Sequence, residues 1–183
     1  LIDSGVAAIV FHVDSPGGTV AGNIELAKFI QAMTVPTASH CHGLACSAAY
    51  KLVSATGFIV ANESAQVGNV GTIMSWADCS EFWASNGIEF KALVSEGAEL
   101  KSTFHLEPDE TQLAFLQESI DEAGGAFREF VSSGRSKAGA TVDPEVWRAG
   151  WYSGEHALSL GLIDTIGPAQ DAVDYLRETI KKI

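Results

Sequence analysis

The sequence predicts an α/β fold. Three observations carry that reading. Short β-branched, apolar runs of strand length recur along the chain. Stretches with apolar residues every third or fourth position lie between them. A strand-ending "DSPGG" also leads straight into one of those helical patterns. Such alternation suits a mainly parallel sheet with right-handed crossovers.

"VAAIVFHV" (6–13) reads as a buried strand, closed by Asp14, Pro16 and two glycines. A helix is predicted from Thr19 to Met33, with Val20, Ile24, Ala27 and Ile30 near one face. Pro36 interrupts it, and "TASHCH" is the second strand. A short helix covers Ser47 to Ser54, followed by strands at "FIVA" and around "GTIMSW". A helix containing Phe82 and Trp83 and a strand at "IEFKALV" come next.

Residues 95–107, "SEGAELKSTFHLE", have no period and read as a loop. Asp109 and Gln112 then form a capping box for a helix with Leu113, Leu116, Ile120, Ala123, Phe127 and Phe130 on one stripe. Gly124 and Gly125 are expected to weaken it midway. A final amphipathic helix follows Pro168, marked by Val173, Leu176, Ile180 and Ile183. With no repeat or linker in 183 residues, the expectation is a single domain, 1–183.

Composition excludes some functions. Hydrophobic residues make up 46% and charged residues 19%, as in a globular domain. A net charge of −12 with no basic run argues against nucleic-acid partners. Apolar runs such as "VAAIV" are too short to cross a bilayer. The opening "LIDSGVAAIVFHVD", without Met, reads as a chain lacking its N-terminal segment. A cytoplasmic location is expected for what remains, and membrane association through a missing segment stays open. Cys41, Cys46 and Cys79 are odd in number and unpatterned, which suggests buried thiols in a reducing compartment. His40 and His42 share a strand face, but no carboxylate or CxxC stands nearby, so neither metal nor cofactor is expected.

The candidate chemistry comes in three separated pieces. A strand ending in Pro-Gly-Gly leaves backbone N–H groups uncovered, suited to an anion or to the oxyanion of acyl transfer, or it is simply a tight turn. The phosphate form normally shows GxGxxG or GK[ST], and neither is present. Ser47, in "HGLACSAAYKL", begins a helix and would ordinarily be an N-cap. Its small neighbours Gly43, Ala45, Ala48 and Ala49 instead let a substrate backbone come close, and the Ala48 amide would point the same way as the hydroxyl. No histidine of His12, His40, His42, His105 or His156 carries a triad signature. A lysine base must fall from ~10.4 by about three units, which needs desolvation. Lys51, one turn after Ser47, is expected to snorkel to solvent. Lys101 lies in the aperiodic segment, either as a solvated surface charge or as that base.

Taken together, "VDSPGGTV", "GLACSAAYKLVSATGFIVANESAQVGNVGTIM", "ELKSTFH" and "AGWYSGEHALSLGLIDTIG" resemble the Ser-Lys peptidases that include signal peptide peptidase A and phage head-maturation proteases. The likeness runs from about residue 6 to 167 with its motifs in order. It implies the Clp protease and crotonase type of fold, built from repeated ββα units. It also implies Ser47 as nucleophile, Lys101 as general base, and the amides of Gly18 and Ala48 as oxyanion donors. The histidine of the Clp branch would fall near Thr72, so the lysine branch is the one resembled. Family members often read "GSIG" where this chain has "GNVG", leaving Asn69 or Thr72 to orient the lysine. A homo-oligomer is implied, with sites that adjacent protomers can share.

The expected partners are protein or peptide substrates, either capsid and scaffold proteins or signal peptides, with capsid maturation favoured by a compact acidic chain without a visible membrane segment. Two other functions compete. An acyl-CoA enzyme of crotonase type would not depend on Ser47, and a silent shell or scaffold subunit would cleave nothing.

Overall fold

The computed structural model describes residues 5–101 and 106–183. The strands are β1 (Ile9–Ser15), β2 (Thr37–Cys46), β3 (Ile59–Ala61), β4 (Gln66–Gly68), β5 (Trp151–Ser153) and β6 (Thr165–Ile166). The helices are α1 (Asn23–Gln31), α2 (Ala48–Val53), α3 (Ser80–Ser85), α4 (Glu110–Lys137), α5 (Gly154–Ser159) and α6 (Ala169–Ile180), with a 3-10 turn at Pro144–Arg148. The α/β expectation is met.

The chain divides into two compact units, one of residues 1–71 and 124–183, the other of residues 72–123. The first holds the sheet, ordered β5-β4-β2-β3-β6 with β1 also on β2. β1, β3 and β4 all run parallel to β2, and only β4 with β5 is antiparallel among the described pairs. A parallel strand is covered on both faces, and the alternation of β3 shows it. Ile59 and Ala61 enter the main core with Cys41, Tyr50, Val53, Phe127 and Val131. Val60 faces the other way, against Ala38, Ala172 and Leu176 of α6.

α4 approaches α2 closely because residue 134 is a glycine; a Cβ there would run into the Ser54 carbonyl. Next to it, Arg135 is fully buried and paired with Asp164. The capping box that starts α4 forms as expected: Gln112 N–H donates to Asp109 Oδ1 at 2.9 Å, and Asp109 N–H donates to Gln112 Oε1 at 3.1 Å.

In the second unit α3 carries the expected helix, with Trp83 edge-on to Phe82 and Phe90. Two expectations fail here. "GTIMSW" and "IEFKALV" are not strands; the strand after β3 is β4, a few residues earlier. Gly68 (φ 113) and Asn69 (φ 53) turn the chain out of extended geometry before the apolar run begins. Ile73 and Leu93 are then exposed. Strand propensity reflects packing on a half-buried surface, which these runs lack. Gly124 and Gly125 do not break α4. The helix is continuous for 28 residues, since each glycine costs only about 1 kcal/mol.

Cysteine exposure also departs from expectation. Cys41 and Cys46 are buried, whereas Cys79 is exposed. Burial pushes the Cys41 thiol up to about 12 and raises Cys46 as well. Because the thiolate is the reactive form, iodoacetamide at mildly alkaline pH should modify Cys79 about tenfold or more faster than either buried thiol. Peptide mapping by mass spectrometry reads the three rates; equal labelling would contradict the placement of β2.

Candidate active site

β1 and β2 run parallel and side by side, so their C-terminal ends bring two sequence motifs together. β1 delivers "SPGG" and β2 delivers Ser47. At the turn, the Ser15 hydroxyl accepts the Gly17 N–H at 3.3 Å. Gly17 sits at φ 128, and a Cβ there would lie 2.7 Å from Ser47 Cβ and 3.2 Å from its Oγ. Only glycine lets the turn close on the serine.

Ser47 itself has φ 52 and ψ −129, a backbone conformation that non-glycine residues seldom hold. Its N–H donates to Gly68 O at 2.8 Å, and its carbonyl accepts from Lys51 N–H at 3.2 Å. The side chain makes no capping hydrogen bond. The ordinary reason for a serine at this position is therefore absent, and the hydroxyl is held in a strained elbow with no hydrogen-bond partner among the described residues. Such strain persists where the surroundings over-determine it, and it clusters at functional sites. The N–H groups of Gly18 and Ala48 have no backbone acceptor among the described residues.

A cavity of about 660 Å³ opens beside this turn. Its wall includes Gly17, Gly18 and Ala48 at one end, with Phe11, Leu26 and Leu52 giving it an apolar lining. Asn23 donates from Nδ2 to Ala48 O at 3.1 Å, tying α1 to the first turn of α2. Its Oδ1 is enclosed and has no hydrogen-bond partner among the described residues.

In the sequence Asp14 and Gly17 stood out only as parts of the turn that closes the first strand, and Asn23 did not stand out at all. The Asp14 carboxylate accepts the Leu44 N–H at 2.8 Å, across the bulge where the β1–β2 register shifts. It leaves no room for a side chain at Gly43. The signal for Asp14 and Gly17 was already visible as the "DSPGG" turn; for Asn23 there was none.

Lys51 corrects an expectation. It is 7% exposed, not snorkelled, with Nζ 4.5 Å from the centre of the Phe127 ring. Phe127 of α4 packs against its ammonium group, and burial lowers its pKa while Glu25 opposes the shift. Asn69 lies in the first unit. Its Nδ2 donates to Ala149 O at 2.8 Å and its N–H to Gly150 O at 2.7 Å. Adjacent Gly68 receives the Ser47 amide.

Lys101 and Thr72 belong to the second unit. Lys101 is exposed there, its N–H donating to Ala98 O at 3.0 Å and its carbonyl accepting from Gln112 Nε2 at 3.4 Å. The rest of the "ELKSTFH" motif after Lys101, including His105, lies outside the described residues. Among the described residues no group of three or more His, Cys, Asp or Glu is arranged to hold a metal. No described helix is long and apolar enough to cross a membrane.

The profile of peptidase family S49 matches residues 30–182. A protein of Enterococcus faecium that carries the name signal peptide peptidase SppA is 29% identical over 98% of this chain and 53% of its own length. The Head-tail preconnector protein GP5 of Enterobacteria phage P21 is 28% identical over 96% of the chain and 35% of its own length. The Capsid assembly protease C of Escherichia phage lambda is 27% identical over 97% of the chain and 40% of its own length. The chain thus spans about half or less of these relatives. The matched profile brings with it the Clp protease and crotonase type of fold, and the chain belongs to peptidase family S49.

Proposed function

We propose that this chain is the peptidase domain of a serine endopeptidase in which Ser47 is the nucleophile and Lys101 the general base. The observation that carries the reading is Ser47 itself: a strained backbone, an uncapped hydroxyl, and the free amides of Gly18 and Ala48 at the rim of an apolar cavity. Neutral Lys101 takes the proton from Ser47 Oγ as the oxygen adds to the substrate carbonyl carbon. The developing oxyanion is held by the Gly18 and Ala48 N–H groups. The lysine ammonium then gives its proton to the leaving amine, and an acyl ester remains on Ser47. A water molecule, deprotonated by Lys101, attacks that ester, releases the acid and restores the hydroxyl.

In this reading Lys101 meets Ser47 when the site assembles with substrate, within one protomer or between neighbours of a homo-oligomer. Covering by substrate and protein then takes the water from its ammonium group. Asn69 and Thr72 are the candidates to orient it. An apolar side chain next to the scissile bond suits the cavity lining.

For the biological role we favour phage or prophage head maturation, acting on capsid or scaffold proteins in the host cytoplasm or procapsid. The motives are the −12 charge, the lack of a spanning helix among the described residues, and the two phage relatives. A second reading, removal of signal peptides at a membrane, is favoured by the relative named for that activity.

The test is labelling with a serine-reactive fluorophosphonate followed by adduct mapping. The adduct is expected on Ser47. An adduct confined to another serine would reassign the nucleophile.

A further inference from the structure

Three histidines meet where β1 lies on β2. His12 stands opposite His40 in the parallel register. Their rings stack 4.9 Å apart, and their Nδ1 atoms are 3.0 Å apart. The His42 ring is 5.3 Å from that of His12. Asn62, just past β3, joins His40 to His42.

The hydrogen bonds fix their own direction. The His42 carbonyl can only accept, so the Asn62 amide nitrogen faces it at 2.9 Å. Asn62 Oδ1 therefore faces His40 Nε2, at 3.1 Å, and that nitrogen carries a hydrogen. In a neutral ring His40 Nδ1 is then an acceptor, and the hydrogen between the two Nδ1 atoms belongs to His12. A second proton on His40 sets two N–H groups against each other across 3.0 Å unless His12, which is exposed, moves its own hydrogen to Nε2.

His40 is 2% exposed. Burial holds its pKa below the ordinary value; His12 and His42 add to that, while Asn62 and the Gly167 backbone oppose it. Other charged groups lie around the network on several elements. Asp14, two residues on from His12, holds the Leu44 N–H. From the α6 side, Asp171 lies against Gly167. The residues α6 packs onto this face are Ala172, Tyr175 and Leu176, and its Asp174 and Glu178 pair with Arg177 and Lys181. Glu63, next to Asn62, is exposed, and on the opposite face Cys41 is buried in the main core.

Placement gives the cluster its significance. β1 continues into Gly17–Gly18 and β2 into Ser47, and the register between them slips just beyond the histidines. We propose that the His12–His40–His42–Asn62 network is a proton-operated clasp that keeps β1 in register on β2, sets the Gly17–Gly18 turn against Ser47, and opens in mild acid. His40 binds a proton less readily folded than unfolded. Its contribution is therefore complete above about pH 6.5 and is lost as pH falls from there through the lowered folded value. The clasp acts on strand geometry and stands whether or not Ser47 is the nucleophile.

Hydrogen exchange of the full chain tests it, at about pH 8 and about pH 5.8, with labelling times scaled for the chemical exchange rate. Protection of peptides covering 6–19 should fall by up to about sixfold at the lower pH beyond that scaling, the most that one histidine of ordinary value 6.5 can contribute there. His40→Gln keeps a donor for Asn62 and an acceptor for His12 but cannot titrate, so it should keep its protection at both pH values. If His40→Gln does not fold, ring NMR of the wild type decides: His40 should stay neutral, with hydrogen on Nε2, until β1 exchange accelerates. Unchanged β1 protection in acid, an equal loss in His40→Gln, or a protonated His40 beneath a protected β1 would each overturn the proposal.

Discussion

Ser47→Ala should lower kcat/KM on casein or a co-expressed capsid protein by roughly 10⁴-fold or more. The thermal midpoint should stay within about 2 °C of wild type. The two halves of that expectation have separate causes. Activity is lost because, in the proposed mechanism, Ser47 Oγ is the atom that attacks the substrate carbonyl, and alanine has no such oxygen. Stability is kept because the Ser47 hydroxyl makes no capping bond and its Cβ, retained by alanine, still packs on Gly17.

Lys101→Ala should lose activity to a similar degree. Lys101→Arg should not restore it, since a guanidinium does not give up its proton in a protein. A residue that merely bound substrate by charge would tolerate arginine. Equal cleavage by wild type, Ser47→Ala and Lys101→Ala would end the peptidase reading and leave the silent shell subunit.

Asp164→Ala should destabilise the first unit by about 3–5 kcal/mol, the usual cost of orphaning one member of a buried ion pair. At about 2–4 °C per kcal/mol for a chain of this size, the thermal midpoint should drop by about 10 °C. Asp164 receives two bonds from Arg135, at 2.6 and 3.1 Å, and the Ile59 N–H at 2.7 Å. Arg135 Nε also donates to Gly161 O at 2.8 Å. Removing the carboxylate strands a guanidinium with no exposure to water, and it also frees a strand amide of β3.

The double variant Arg135→Met with Asp164→Ala should recover part of the loss, because an apolar pair of similar volume does not need to be solvated. Differential scanning calorimetry measures both. A single variant within about 2 °C of wild type would show that the pair contributes nothing.

Legibility in the sequence follows the range of the interactions involved. Helix α4 was readable because its start depends on residues three apart and its stripe repeats every turn. β1, β2 and the turn after Asp14 were readable for the same reason, since β-branched runs and Pro-Gly-Gly act locally. The runs at 71–76 and 88–94 misled because strand formation needs a neighbouring edge, which no local pattern reports. Lys51 misled because its burial comes from Phe127, 76 residues further along the chain.

The sequence alone determined the α/β class, the family resemblance, and the candidacy of Ser47, Gly18 and Ala48. The class and Ser47 rest on residue type and short spacing, whereas Gly18 came from the resemblance, whose motifs run in order along most of the chain. Only the tertiary structure decided that the Ser47 hydroxyl is uncapped, that Gly17 must lack a side chain, and that three histidines share one hydrogen-bond network. Those facts depend on how β1 registers against β2. Register is a property of two strands separated in the chain, set by packing on both faces of the sheet, and no single stretch of residues contains it.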